Sequence, residues 1–313
     1  FFYGNVLRDV KDFQGAIDAY CTAIALKSDY LEAYANCASC LKDLGMTSEA
    51  MAFYDSALML DPSHAEANYN RALLLLSELR LEEGWRAYER RLDSETSIRK
   101  FMGGRIRVAP NWDGHSQPNA LLVVGEQGPG DQIFFGGMLE DLAKQLPNAS
   151  VCIDPRLIPL KFIGPSEVYT QPFDAQIQLG SLGRFYRKNQ TDLAKVTSPY
   201  LHADAAVSSQ LNTELKRENR LLCGISWNSK NADHGEGKSL NLEALLPVLT
   251  TPGVDFVDLQ YGDTEEERAA LKAKHGVHLY KQADIDNHDN IDGLASLIDA
   301  CDIVVTVSNT TAH

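Results

Sequence analysis

Basic residues are scarce in this chain: 29 Lys and Arg stand against 43 Asp and Glu in 313 residues, a formal net charge of −14. Nucleic-acid affinity depends on clustered Lys and Arg, so the balance argues against a nucleic-acid partner, and any anionic ligand needs a local site. Long apolar runs are also missing. None approaches the ~20 residues that cross a bilayer, so no transmembrane segment is expected. The opening Phe1-Phe2-Tyr3 lacks the basic-then-apolar order of a secretion signal, and it lacks an initiator Met that would rule out a removed leader. A cytoplasmic protein is expected. Cysteine is sparse at six, and only Cys37 and Cys40 are close, with no second pair and no His at finger spacing. Their neighbours are small residues, so helix packing accounts for them better than metal or redox chemistry. What is present, 44% hydrophobic and 23% charged residues, describes a globular protein. The length suggests two or three folding units.

One internal period stands out. Ala16 and Ala50, Tyr20 and Tyr54, Ala23 and Ala57, and Leu26 and Leu60 are each 34 residues apart, the spacing of tetratricopeptide repeats. The small Ala positions let two antiparallel helices approach, and the Tyr fills the gap to the next pair, so such hairpins bury their faces only by stacking. A third unit keeps Tyr88 but has Gly84 and Arg91 at the small positions, as terminal repeats do. Asp61-Pro62 marks the break before it. The array is read as a concave surface for a protein or peptide, or as a spacer packed on the next domain. The tract Gly84–Arg91 is read as a capping helix with aromatic anchors.

From about Phe101 the helical period ends, and Pro110-Asn111-Trp112-Asp113-Gly114 reads as a turn-rich linker. Ala120–Val124 is a short apolar run ending in glycines, the pattern of a buried parallel strand, and Gln132–Leu146 resumes helical spacing. Apolar runs recur at 149–153, 173–179, 221–227, 254–259, 277–280 and 302–307, with helical stretches at 240–249, 265–274 and 291–300 between several of them. This alternation predicts open parallel sheets covered by helices on both faces. It restarts near Leu221 after the polar stretch 208–219, which divides it into two sheets with a cleft between. The predicted domains are a repeat array over 1–100, a first α/β domain over 101–218 and a second over 219–313.

Polar clusters fall at the predicted carboxyl ends of strands, where open parallel sheets bind ligands. Glu126-Gln127-Gly128-Pro129-Gly130-Asp131 follows the first strand. It is neither a dinucleotide fingerprint nor a Walker loop, and Asp131 is either the cap of the next helix or a general base facing the cleft. Ser226-Trp227-Asn228-Ser229-Lys230 and Lys238-Ser239-Leu240 offer hydroxyls, an amide and two cations for an anionic leaving group. Lys238, at a predicted helix start, is poorly placed for a cation unless an anion is nearby, although Lys in a Gly-rich loop is also common. Ser308-Asn309-Thr310-Thr311-Ala312-His313 closes the chain as a strand-to-helix turn, suited either to a diphosphate or to ordinary capping. Two other groups are set aside. Asp284-Ile285-Asp286, with Asn287, His288, Asp289 and Asp292, has Asp289 where a calcium loop needs Gly. His275 and His278 read as surface residues. No metal site is expected.

Together, 125–133, 224–230, 256–263 and 307–313 resemble, in order, segments of bacterial tetratricopeptide proteins with a glycosyltransferase domain similar to family 9, the heptosyltransferase family. Trp85, Tyr88 and Trp112-Asp113-Gly114 fit the same pattern. The resemblance implies an all-α tetratricopeptide solenoid followed by a GT-B architecture of two Rossmann-like domains. It implies a nucleotide-diphosphate sugar as donor substrate, an acceptor hydroxyl, an inverting outcome, and neither cofactor nor essential metal. Asp131 matches the family's proposed base, with Gln127, Gly128 and Gly130 in the acceptor-side loop. Lys238 matches the lysine that pairs with the donor diphosphate. Asn309, Thr310, Thr311 and His313 match the turn that holds the same group, and Ser226, Asn228 and Gln260 are looser matches near the donor. The chain departs from the family in having Ser308-Asn309-Thr310 where Asp-Thr-Gly or Asp-Ser-Gly is usual, so the donor's identity does not carry over. The second domain is expected to be incomplete at His313 and the fragment inactive alone. The contrasting expectation is a non-catalytic adaptor with a degenerate transferase-like scaffold.

Overall fold

The fold is described from a computed structural model that covers residues 1–93, 109–160, 172–195, 199–229 and 239–313. The chain divides into two compact units, one of Phe1–Ser116 with Gln176–Thr197 and one of Gln117–Ala175 with Ser198–His313.

The first unit opens with α1 (Phe2–Asp9), α2 (Phe13–Leu26), α3 (Leu31–Asp43), α4 (Thr47–Leu60), α5 (Ala65–Ser77) and α6 (Leu81–Tyr88), packed as successive hairpins. The 34-residue positions form its core: Ala16, Tyr20, Ala50, Tyr54 and Ala57 are fully buried and Ala23 nearly so. The fourth pair departs from this, because Leu26 and Leu60 are 86% and 42% exposed at the helix ends and repeat without packing. The period also appears in the backbone. Lys11, Gly45 and Leu79, successive 34-residue equivalents at the turn inside each hairpin, take φ of +64°, +75° and +59°. Cys37 and Cys40 are fully buried in this core, and burial pushes the Cys40 thiol up to about 11.

The third hairpin ends as a cap. Arg91, in the Ala23 and Ala57 position, is completely buried, with its guanidinium 4.0 Å from the Tyr88 ring and donating to Tyr88 O and Ser181 Oγ. Trp85 donates its indole N–H to Arg187 O at 2.9 Å. The segment Gln176–Thr197 therefore belongs with the repeats, although the sequence places it in an α/β domain. Gly183, at the start of α7 (Gly183–Tyr186), permits the approach: a Cβ there would lie 2.4 Å from Trp85 Cε2. The Trp112–Gly114 linker folds as expected into a turn. Asp113 Oδ1 accepts from His115 N, Ser116 N and Ser116 Oγ, and Gly114 takes φ +85° under the Phe185 ring.

The second unit carries parallel strands. β1 (Leu121–Val124) pairs in parallel with β2 (Ser150–Cys152), and the sheet order is β2-β1-β3, where β3, Ala175–Gln178, begins at the last residue of the Gln117–Ala175 segment and continues into the first unit. The other sheet, β4 (Leu221–Ser226), β5 (Val254–Asp258), β6 (Leu279–Tyr280) and β7 (Ile303–Thr306), has order β6-β5-β4-β7 with every pairing parallel. Helices that cover it include α8 (Ala205–Leu215), α9 (Glu265–His275) and α10 (Ile291–Asp299). Alternate residues of β4 explain why its sequence is apolar throughout. Cys223 and Ile225 enter one core with Leu271 of α9. Leu222 enters the other, with Leu211 of α8 and Leu294 and Leu297 of α10.

Three expected elements differ. The helix predicted over 132–146 is two helices, Pro129–Gly136 and Leu139–Gln145, interrupted where the Tyr200 ring crosses Gly136 and Gly137 and its hydroxyl donates to Ile133 O. The stretch 240–249 forms a 3-10 turn over Leu242–Leu245 and a short helix over Leu246–Leu249. The polar stretch 208–219, read as a domain separator, is mostly helix α8, anchored by Leu211 and by Asn212 donating to Ala300 O. Strands β1, β2 and β4–β7 fall within one compact unit.

Candidate functional site

Strand order places the candidate site. In β6-β5-β4-β7, the chain runs outward from β4 through β5 to β6 and then crosses back to β7 on the other side of β4, so the carboxyl ends of β4 and β7 border a topological switch point. Of the predicted residues, Ser226 ends β4, and Asn228, Asn309, Thr310, Thr311 and His313 follow those two strand ends.

A buried network joins them. Gln260, beyond β5, accepts through Oε1 from Ser226 Oγ at 3.1 Å, Trp227 N at 3.0 Å and Asn228 N at 2.8 Å. From the other side, Asn309 Nδ2 donates to Ser226 Oγ at 2.7 Å and to Asn228 O at 3.1 Å. Asn309 Oδ1 accepts from Thr311 N and Thr306 Oγ1, which starts the 3-10 turn Thr310–Ala312. Ser226, Gln260 and Asn309 are at most 8% exposed, and their side-chain bonds go to one another and to neighbouring main-chain groups. The Thr311 hydroxyl is buried without a hydrogen-bond partner, the kind of exception a water or ligand explains.

Behind this turn, Asp258 is fully buried and accepts from Gln260 N and from Thr264 Oγ1, with Arg268 at 3.3 Å and Lys281 at 3.6 Å. Burial pushes its carboxyl above the usual range, and Lys281, Thr264, Gln260 N and Arg268 oppose the shift. Asn287 donates to Asp258 O and Gln260 O, so the acidic loop is fastened to the sheet at this point. Asp286 there is held below the usual carboxylate range by the backbone N–H groups of His288 and Asp289. Among the described residues no group of three or more His, Cys, Asp or Glu could hold a metal. His275 lies 3.5 Å from Glu243, and His278 packs edge-on against Tyr280.

The other wall is the loop after β1. Glu126 is buried, Gln127 takes φ +59°, and Gln132 ties the loop down by donating to Gln127 O while accepting from Asp154 N. Asp131 is the third residue of helix Pro129–Gly136; it is partly exposed, and its Oδ2 accepts from Gly128 N at 3.2 Å. The capping geometry is therefore present, and the carboxylate is not enclosed in a packed interior. Gly130, immediately before it, faces the terminal turn: a Cβ there would lie 3.1 Å from His313 Cδ2 and 3.3 Å from Thr310 Cα. Phe134 and His313 rings are 5.8 Å apart. The structure thus brings Gly130, the residue before Asp131, beside Thr310 and His313. Lys238 lies outside the described residues. Its neighbour Ser239 accepts from Ser229 N at 3.0 Å and reaches Asn228 Oδ1 at 3.2 Å.

Some contributors give little sequence signal. Tyr200, Lys281 and Asn287 support the site from outside the motifs, and Arg156 Nη1 meets His288 Nε2 at 3.1 Å. The polar residues just past each strand end are the available clue, and Asn287 lies within a loop that its sequence marks as solvated.

Comparison with known proteins sharpens the first unit. A tetratricopeptide repeat model matches residues 7–74, and the N-terminal helices are tetratricopeptide repeats. Protein FlbA of Caulobacter vibrioides is 30% identical over 342 aligned residues, covering 99% of this chain and 56% of that protein. The chain thus spans about half the length of the curated relative it matches. Among solved structures, the first tetratricopeptide domain of Spaghetti (RPAP3) bound to an HSP90 peptide is 26% identical, covering 30% of this chain and 75% of that one, with a TM-score of 0.29. MamA is 24% identical, covering 31% and 57%, with a TM-score of 0.29. No described helix is long and apolar enough to cross a membrane. The chain joins tetratricopeptide repeats to an α/β region built on parallel sheets.

Proposed function

We propose that the α/β region is a GT-B glycosyltransferase similar to family 9, moving a sugar from a nucleotide-diphosphate donor to an acceptor hydroxyl while the repeats engage a protein or peptide partner. The observation that carries this reading is the approach of Gly130, in the first turn of the helix that bears Asp131, to Thr310 and His313 beside the β4–β7 switch point. A base and a diphosphate-binding turn have to meet there for a single displacement. In that step the Asp131 carboxylate removes the acceptor proton, the acceptor oxygen bonds to the anomeric carbon, and the sugar–phosphate bond breaks to release the nucleoside diphosphate. Asp131 Oδ2 accepts from Gly128 N, which fixes the carboxylate at the start of its helix. Thr310, Thr311 and His313 face the donor, with Lys238 supplying the cation. The inverting, metal-independent course follows from the resemblance, and use of a nucleotide-sugar donor fits a cytoplasmic protein.

A second reading, an adaptor with an inactive scaffold, is favoured by the internal bonding of Ser226, Gln260 and Asn309, which leaves few side chains for a donor. The test uses the full-length protein with a panel of nucleotide sugars. Asp131→Asn and Lys238→Ala are each expected to lower turnover by at least about a hundredfold. Absence of turnover, or turnover unchanged in both variants, leaves the adaptor.

A further inference from the structure

Gln260 is 2% exposed, yet it lies where the donor turn is assembled. Its Oε1 already serves three donors, its Nε2 donates to Tyr261 O at 3.2 Å, and its own N–H goes to Asp258 Oδ1 at 2.7 Å. Its main-chain oxygen accepts from Lys281 Nζ at 2.9 Å and Asn287 Nδ2 at 3.2 Å. An amide oxygen has two lone pairs, so three donors leave this atom no capacity for a ligand.

We propose that Gln260 is a positioning residue which never touches the donor but holds the Ser226–Asn228 turn in the form that binds the donor's nucleoside diphosphate. This rests on the transferase reading above. Two consecutive backbone N–H groups, Trp227 and Asn228, point at one side-chain oxygen. That bonding turns the chain at the end of β4 and aims the Asn228 carbonyl toward Asn309. Asn309 Nδ2 then closes the turn from β7 through Ser226 Oγ and Asn228 O. The two amides thus grip one turn from opposite sides. Removing the Gln260 oxygen leaves the Trp227 and Asn228 N–H groups without this acceptor, while the remaining bonds, from Asn309 Nδ2, Val307 N and Leu240 N, all go to oxygens of the turn and replace neither.

The experiment compares Gln260→Met, which keeps length without a strong acceptor, with Gln260→Glu, which keeps acceptor oxygens. Amide exchange is followed by NMR, and binding of UDP, GDP and ADP by calorimetry, on the full chain. Gln260→Met is expected to speed exchange at Trp227 and Asn228 with Leu222–Ile225 unchanged. It is also expected to weaken the nucleotide that the wild type binds by about tenfold or more, and Gln260→Glu to restore both. Gln260→Asn, which shortens the reach, replaces Met if that variant fails to fold. Unchanged exchange at Trp227 and Asn228 overturns the proposal whether or not a nucleotide binds. Faster exchange with undiminished binding overturns the link to the donor and leaves the transferase reading standing. A wild type that binds none of the three overturns the transferase reading and the proposal with it.

Discussion

The two units of this chain solve the same packing problem at different distances along the sequence. In the first two repeats the buried groups meet their partners within the same or a neighbouring hairpin, so one pattern, Ala-x-x-x-Tyr-x-x-Ala, recurs after 34 residues and specifies the core. In the α/β unit the decisive bonds are long-range: Ser226 with Gln260, Ser226 with Asn309, and Asn212 with Ala300. Quasi-one-dimensional arrays respond locally to substitution, whereas a closed polar network fails as a unit.

The largest test of that contrast is Tyr54→Ala. Tyr54 is fully buried in the repeat core, and emptying its site is expected to cost about 3–5 kcal/mol. Hydrogen exchange should show the loss in α3, α4 and α5 while β4 and β5 keep their protection. Loss of protection in both places would mean that the units unfold together, and the comparison would fall.

Gly183→Ala is expected to have the next largest effect. Gly183 has φ −55°, so helix propensity alone predicts that Ala stabilises it. The Cβ position 2.4 Å from Trp85 Cε2 decides the sign instead, and overpacking there is expected to cost about 1–3 kcal/mol. Urea unfolding followed by Trp85 fluorescence reads it. A stabilised variant would mean that the segment Gln176–Thr197 does not press on the repeat cap.

These two cases also mark what was legible in the sequence. Repeat helices and parallel strands could be read because their signals are local: a fixed period, or a continuous apolar run such as Leu121–Val124. The location of the site at strand ends was legible for the same reason. Its bonding was not, because nothing in Ser226 or Asn309 shows that each has a buried partner more than thirty residues away. The assignment of Gln176–Thr197 to the repeats depended on Trp85 and Arg91 reaching residues about ninety or more positions distant. The break at Gly136 depended on Tyr200. Leu26 and Leu60 erred the other way, since their period was real and their burial was not.

A smaller effect sharpens the local side of the comparison. Lys11, Gly45 and Leu79 share a left-handed turn position, yet only one is glycine. A side chain there costs roughly 1–2 kcal/mol, partly offset by the greater freedom that glycine loses on folding. Leu79 is 49% exposed and has little packing to lose. Leu79→Gly should therefore stabilise the repeat unit by about 0.5 kcal/mol, and Gly45→Ala should destabilise it by about 1 kcal/mol. Thermal melts of the pair should move in opposite directions, and movement in the same direction would show that packing rather than backbone strain governs the turn.

The smallest effect concerns Asp113 in the linker. Backbone donors from Ser116 and His115, with the Ser116 hydroxyl, hold its carboxyl down to about 2. Because the folded value lies below the unfolded one, the ionised form is favoured by folding. The stabilisation is complete above the unfolded value of 3.8 and is lost as pH falls toward about 2. The group is exposed, so solvent screening keeps its contribution small. The turn is nevertheless local in the same sense as the repeats, with every partner within three residues. Asp113→Ala should therefore remove its part of the acid dependence of the first unit between about pH 4 and pH 2 without changing that of the second. An NMR titration that finds Asp113 near 3.8 would show that the turn does not hold the carboxylate in solution.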